Sequence, residues 1–166
     1  SRYKEISNQI QNIFLEYSDL VEPLSLDEAY IDVTYAKKGK PSATLIAKEI
    51  KARIFEETQL TASAGVSYNK FLAKVASDVK KPNGIYVITP EHALEFIESL
   101  EVRKLYGIGK VTAEKLNKMG IWFGRDLKKI DRLELINLFG KSGNYFYKIC
   151  RGEDDREVEP SRERKS

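Results

Sequence analysis

Apolar residues recur at three- and four-residue spacings between positions 3 and 17, at Ile6, Ile10, Ile13, Phe14 and Tyr17, which predicts one amphipathic helix. The period then shortens. Val21, Leu24 and Leu26 lead into a stretch where Ile31 and Val33 alternate with Tyr30 and Asp32, so a β-hairpin is expected through residues 20–34. Lys37 to Pro41 marks a turn, and Ser42 is placed to cap a helix with Leu45, Ile46, Ile50, Ile54 and Phe55 on its buried face. Residues 61–67 read as a strand and 69–79 as a helix with Phe71, Leu72, Val75, Ala76 and Val79 inward. A short strand, 84–88, follows the Asn83-Gly84 turn. This order suits an α+β unit in which helices cover one face of an antiparallel sheet.

From Thr89 onward no strand pattern appears before residue 150. Pro90 is expected at the first position of a helix over 90–99, where its missing N–H costs nothing. A turn near 102–106 and helices over 111–118, 124–128, 131–138 and 142–150 follow. Tyr145, Phe146 and Tyr147 are expected to pack the core of this second, all-helical unit rather than to stack on bases. Beyond Arg151 the chain is almost wholly charged, with too few apolar groups to bury, and reads as a linker.

With 42% hydrophobic and 32% charged residues in 166, the chain can build one medium core or two small ones and is not of disordered composition. A single cysteine, Cys150, excludes an internal disulfide. With His92 the only histidine, a zinc cluster of thiolates and imidazoles is excluded too. No apolar run approaches the roughly 18 residues that span a bilayer, so a soluble protein of a reducing cytoplasm, with no membrane partner, is expected. The net charge of +3 decides little, but its distribution is uneven. Residues 1–34 carry seven acids against two bases, whereas 101–129 carry eight bases against three acids, a local positive field suited to a phosphate backbone.

Chemistry concentrates in three places. In SLDEAYID, residues 25–32, Asp27 and Glu28 fall at the turn of the expected hairpin. Two ionised carboxylates that close repel each other, and a hard cation such as Mg²⁺ relieves the repulsion. A solvated turn is the alternative. Asp32, about 15 Å along an extended strand from Asp27, is too distant to join them and is read as structural. In Lys80-Lys81-Pro82-Asn83-Gly84 the proline excludes helical geometry at Lys81 and leaves that lysine at a corner. Lys70 and Lys74, one turn apart, read as a solvated helix face. Gly107-Ile108-Gly109 precedes a helix opening near Val111, the pattern of a helix-hairpin-helix. There glycines permit positive φ and close approach of a phosphate to free N–H groups, with Lys110 alongside.

SLDEAYID, read with SAGVSYNKFLAKVASDVKKPNG (63–84) and YGIGKVTAEKLNKMGI (106–121), resembles the Y-family translesion DNA polymerases of the bacterial polymerase IV type. The resemblance implies a partial ferredoxin-like palm over 1–88, a helical thumb with a helix-hairpin-helix over 89–152, and a charged linker over 153–166 toward a little-finger domain. It implies two-metal nucleotidyl transfer to a primer 3′-hydroxyl, with Mg²⁺ (two ions; Mn²⁺ as a substitute) on Asp27 and Glu28. Lys81 would sit on the triphosphate, and Gly107, Ile108, Gly109 and Lys110 on the DNA backbone. Primer-template DNA and deoxynucleoside triphosphates are the implied partners, with a sliding clamp bound through regions outside this chain. A start at Ser1 inside a helix suggests a piece of a longer chain, inactive on its own. A non-catalytic helix-hairpin-helix DNA-binding module is the main competing reading. A cyclase-like palm is a second, though it has no use for a DNA-gripping thumb.

Overall fold

A computed structural model of the chain describes residues 1–160. Helix α1, Arg2–Tyr17, starts at Ser1, whose hydroxyl accepts from the Lys4 N–H. The β1 (Val21–Pro23) and β2 (Ala29–Ile31) strands then pair antiparallel, Val21 opposite Ile31. Helix α2, Ala43–Thr58, is capped by Ser42 as expected and ends where Gln59 turns left-handed at φ 62°. Ile13 and Tyr17 of α1 bury against Ile46, Ile50 and Ile54 of α2, and Ile31 and Val33 from the hairpin close this first core.

Strand β3 (Ala64–Val66), helix α3 (Lys70–Val79) and strand β4 (Ile85–Val87) form a second sheet of two strands, and here the pairing departs from expectation. β3 and β4 are parallel, Ala64 opposite Ile85. A helix between two neighbouring strands carries the chain back to its starting edge, so the second strand runs in the same direction as the first. The α+β class holds, with one antiparallel and one parallel pair. Gly65 lets α3 lie directly on β3, since a Cβ there would sit 2.0 Å from the Ala73 carbonyl oxygen.

The remaining elements are helical: α4 (Ala93–Ser99), a 3-10 turn (Val102–Lys104), α5 (Lys110–Lys118), α6 (Gly124–Lys128), α7 (Arg132–Phe139) and α8 (Lys141–Ile149). α4 begins three residues after Pro90, because Thr89 to His92 form a separate turn closed by His92 N–H to Thr89 O. Phe71, Leu72, Val75 and Ala76 of α3 enter one continuous core with Ile97, Leu105, Leu116, Leu127, Leu135, Phe146 and Ile149. α3 therefore joins the sheet-bearing half to the helical half.

The expected linker is not free over its first part. Residues 152–159 fold back across the N-terminus of α3 toward β1: Asp154 accepts from the Phe71 N–H at 2.9 Å, and the Glu159 N–H donates to Glu22 at 2.8 Å. Charged residues settle here because the partners they need, the Phe71 N–H that the Asn69 cap leaves open in the first turn of α3 and a buried carboxylate, are supplied from distant segments. Residues 161–166 of that expected linker lie outside the described residues.

Candidate catalytic and nucleic-acid-binding site

The loop between β1 and β2 is drawn tight by two bonds to the Glu28 carbonyl, from Leu24 N–H at 2.8 Å and Ser25 N–H at 3.2 Å. It is moored to α1 by the Ser7 hydroxyl, which donates to Leu26 O at 2.8 Å. This places Asp27 beside α1, where the Tyr3 hydroxyl donates to its carboxylate. Donating to that carboxylate raises the Tyr3 hydroxyl above its usual range. Glu28 turns toward α3. Its Oε1 lies 3.4 Å from Lys74 Nζ and 3.9 Å from Lys81 Nζ.

Asp78 completes the group. It stands 3.5 Å from Lys74 and 2.7 Å from Lys81, so two lysines and two carboxylates interlock at the exposed end of α3. The hydrogen bond to Asp78 is the main reason that Lys81 is held above the usual lysine range, with Asp78 and Glu28 charges adding to it against partial burial. The structure thus brings Lys81 to Glu28 and adds Lys74 and Asp78. Asp78 was missed, although its i+4 spacing from Lys74 and i−3 spacing from Lys81 were visible.

The expectation of a solvated face for Lys70 and Lys74 is wrong. Lys70 is 9% exposed and donates to both oxygens of buried Glu22, at 2.8 and 3.0 Å. Lys74 is largely buried between Glu28 and the Tyr106 ring, 5.4 Å from its centroid. The helical spacing was right, but this face meets β1 and the hairpin loop instead of water. Asp32 is structural, as expected, accepting from the Thr34 N–H and hydroxyl.

Across α3 lies the glycine hairpin. Gly107 adopts φ 103°, and a Cβ there would meet the Tyr145 ring at 2.5 Å. Ile108 is buried in the larger core. Gly109 has φ −79°, so positive φ is needed only at Gly107. What glycine provides at 109 is space, with nothing within 4 Å of a Cβ, directly before the first turn of α5. No side chain caps that turn, and Lys110 opens it at the surface. Free N–H groups, the positive end of a helix and a lysine make a site for an anion such as a backbone phosphate.

Tyr145 braces the hairpin from behind. Its hydroxyl donates to Tyr106 O at 3.1 Å. Phe146 is in the core and Tyr147 carries the Arg151 guanidinium 3.6 Å over its ring, so this aromatic run packs internally, as expected. A cleft of about 1090 Å³ opens between α3, the end of α4 and the hairpin, with Arg103, Lys104 and Arg156 on its walls.

Asp27 and Glu28 suit a hard divalent cation by their chemistry, since both offer carboxylate oxygens. Among the described residues no group of three histidine, cysteine or carboxylate side chains is gathered to hold one.

The model of the impB/mucB/samB family matches residues 1–78, and that of the IMS family HHH motif matches residues 90–121. DNA polymerase IV of Leptospira interrogans is 56% identical over 164 residues, covering 99% of this chain and 45% of that protein. That of Clostridioides difficile is 57% identical, with the same coverage. The chain therefore spans about half the length of the curated relatives it matches. Among solved structures, DinB from Sulfolobus solfataricus superposes with a TM-score of 0.85 at 36% identity, over 95% of this chain and 47% of that one. The insertion ternary complex of Dbh DNA polymerase gives the same TM-score and identity.

Proposed function

The chain belongs to the impB/mucB/samB family, whose members include the Y-family polymerases of the polymerase IV type, and we propose that the protein it comes from is a translesion DNA polymerase. The observation that carries this reading is the placement of two sites on one helix. α3 holds the carboxylate–lysine group toward its C-terminal end and contacts the glycine hairpin through Lys74 and the Tyr106 ring.

In the proposed reaction the primer 3′-hydroxyl oxygen bonds to the α-phosphorus of a deoxynucleoside triphosphate. The bond to the β-phosphate oxygen breaks, pyrophosphate leaves with the electron pair, and the hydroxyl proton passes to solvent. Asp27 and Glu28 would hold divalent cations, Mg²⁺ in the first instance and two in number, which lower the charge on phosphate and hydroxyl. Lys81, half exposed and bonded to Asp78, can exchange that partner for the triphosphate and offset charge on the leaving pyrophosphate. Gly107, Ile108, Gly109 and Lys110 would take the DNA backbone, which fixes register without reading bases. Relatives in bacteria, the lone buried Cys150 and the lack of any described helix long and apolar enough to cross a membrane support a place in the bacterial cytoplasm.

Primer extension tests the reading. In the protein containing this chain, Glu28→Gln or Asp27→Asn should abolish nucleotide incorporation while duplex affinity stays near that of the parent. Undiminished extension by both variants would remove the carboxylates from the reaction and favour a non-catalytic DNA-binding module. This chain alone, in which only Asp27 and Glu28 are assigned to the cations, should not extend a primer.

A further inference from the structure

Residues 152–159 leave α8, cross the start of α3 and reach β1. Besides the two bonds already described, Gly152 O accepts from Asn69 at 3.0 Å and Glu157 O accepts from Lys70 at 3.3 Å. Within this strap Arg156 grips Asp154 with both ends of its fork, Nε to Oδ1 at 2.8 Å and Nη2 to Oδ2 at 2.9 Å. The Asp154 side chain is only 3% exposed, and that of Arg156 is 47% exposed. The guanidinium also lies 5.3 Å over the Tyr145 ring, and Tyr145 is the residue that braces Gly107 and bonds the Tyr106 carbonyl. On its other side Asp154 holds the first turn of α3, the helix whose Lys74 meets Glu28.

An unbroken series of contacts thus runs from the hairpin through Tyr145, Arg156, Asp154 and α3 to Glu28. A bidentate pair has fixed relative orientation as well as strength, and this one sits where the two halves of the site meet. We propose that Arg156 and Asp154 are positioning residues whose ion pair sets the separation between the DNA-gripping hairpin and the carboxylates. The purpose rests on the polymerase reading, but the geometry does not.

Spin labels at Glu114→Cys on α5 and Lys48→Cys on α2, both exposed, would report that separation by pulsed electron resonance. α2 shares a core with the β1–β2 hairpin that carries Glu28, and native Cys150 is buried with its thiol pushed up by burial, so it stays unlabelled. The parent chain should give one narrow distance distribution. Arg156→Ala and Asp154→Asn should broaden or shift it, and Arg156→Lys, which keeps the charge without the fork, should restore it in part. Asp131→Ala, which removes the cap of α7, should lower the melting temperature and leave the distribution unchanged.

Parent-like distributions in folded Arg156→Ala and Asp154→Asn would overturn the proposal, as would equal broadening by Asp131→Ala. Should Arg156→Ala fail to fold, Asp154→Asn decides alone, since it removes the buried charge and keeps an acceptor for the Phe71 N–H. Binding of a primer-template duplex is measured in parallel on the protein containing this chain. If that protein binds no primer-template duplex while the labelled samples show the expected distances, the polymerase reading falls and the positioning pair stands.

Discussion

Two glycines two residues apart make opposite demands at the hairpin. Gly107→Val adds a branched side chain at φ 103° and drives its Cβ into the Tyr145 ring, so it should destabilise the chain by roughly 1–3 kcal/mol, measured by denaturant unfolding. Gly109→Val fits its backbone and meets no neighbour, so stability should change by no more than about 0.5 kcal/mol. Its effect should appear in duplex affinity, because the added methyls occupy the space a phosphate would use. Lys110→Ala should reduce the slope of log affinity against log salt by about 0.9, as one phosphate contact is lost. An unchanged salt slope with unchanged affinity would make the hairpin a packing turn. Lys70 illustrates a different residue-scale rule. Lys70→Met removes both hydrogen bonds that Lys70 gives to Glu22, which is 5% exposed, and should cost on the order of 1–3 kcal/mol in denaturant unfolding.

Helix α3 is the element on which the site depends, and its start is held twice. The Asn69 side chain accepts from the Leu72 N–H at 2.9 Å and donates to Gly152 O at 3.0 Å. Ser42 caps α2 through a single bond from the Leu45 N–H at 3.3 Å. Both alanine substitutions remove a cap, worth about 1 kcal/mol. Asn69→Ala should be the more damaging of the two in thermal unfolding, since it also releases the strap. Equal losses would mean that the Gly152 bond contributes nothing. The helices themselves were legible: the Ile and Phe spacing of α1, the Ser42 cap with Ile46, Ile50 and Ile54 of α2, and Phe71, Leu72, Val75 and Ala76 of α3 follow a 3.6-residue period, whereas Leu45, Phe55 and Val79, expected on buried faces, lie at their edges and are exposed. Which way β4 runs beside β3 was not, because strand direction depends on the path of the connection and not on alternation within either strand.

For the whole molecule, the strap makes stability depend on acid. Burial acts to raise the Asp154 carboxyl, but the Arg156 hydrogen bonds and charge, with the Phe71 N–H, outweigh it and hold the group below its ordinary value of 3.8. A carboxyl held low in the folded chain binds fewer protons there than when unfolded. Its stabilisation is complete above the ordinary value and is lost as pH falls through the folded one. Asp154→Asn should therefore lower the melting temperature at neutral pH, and the gap from the parent should close below about pH 4. A gap of constant size across that range would show that the carboxylate charge has no part in holding the strap.

The sequence by itself determined the elements that depend on near neighbours: the helical stripes, the hairpin that carries Asp27 and Glu28, the turn after Lys81, and the glycine hairpin at 107–109. Periodicity, caps and turn chemistry act within a few residues and can be read in order. The tertiary structure decided what those elements meet. Lys70 and Lys74 have the spacing of a solvated face and are buried, because Glu22, Glu28 and Tyr106 arrive from other segments to receive them. Asp154 and Arg156 have the composition of a linker and are docked, because α3 offers an N–H and Tyr145 offers a ring. A charge is placed by its partner, and these carboxylate and backbone partners, from Glu28 with Lys74 to Asp154 with the Phe71 N–H, stand as far as 83 residues apart along the chain.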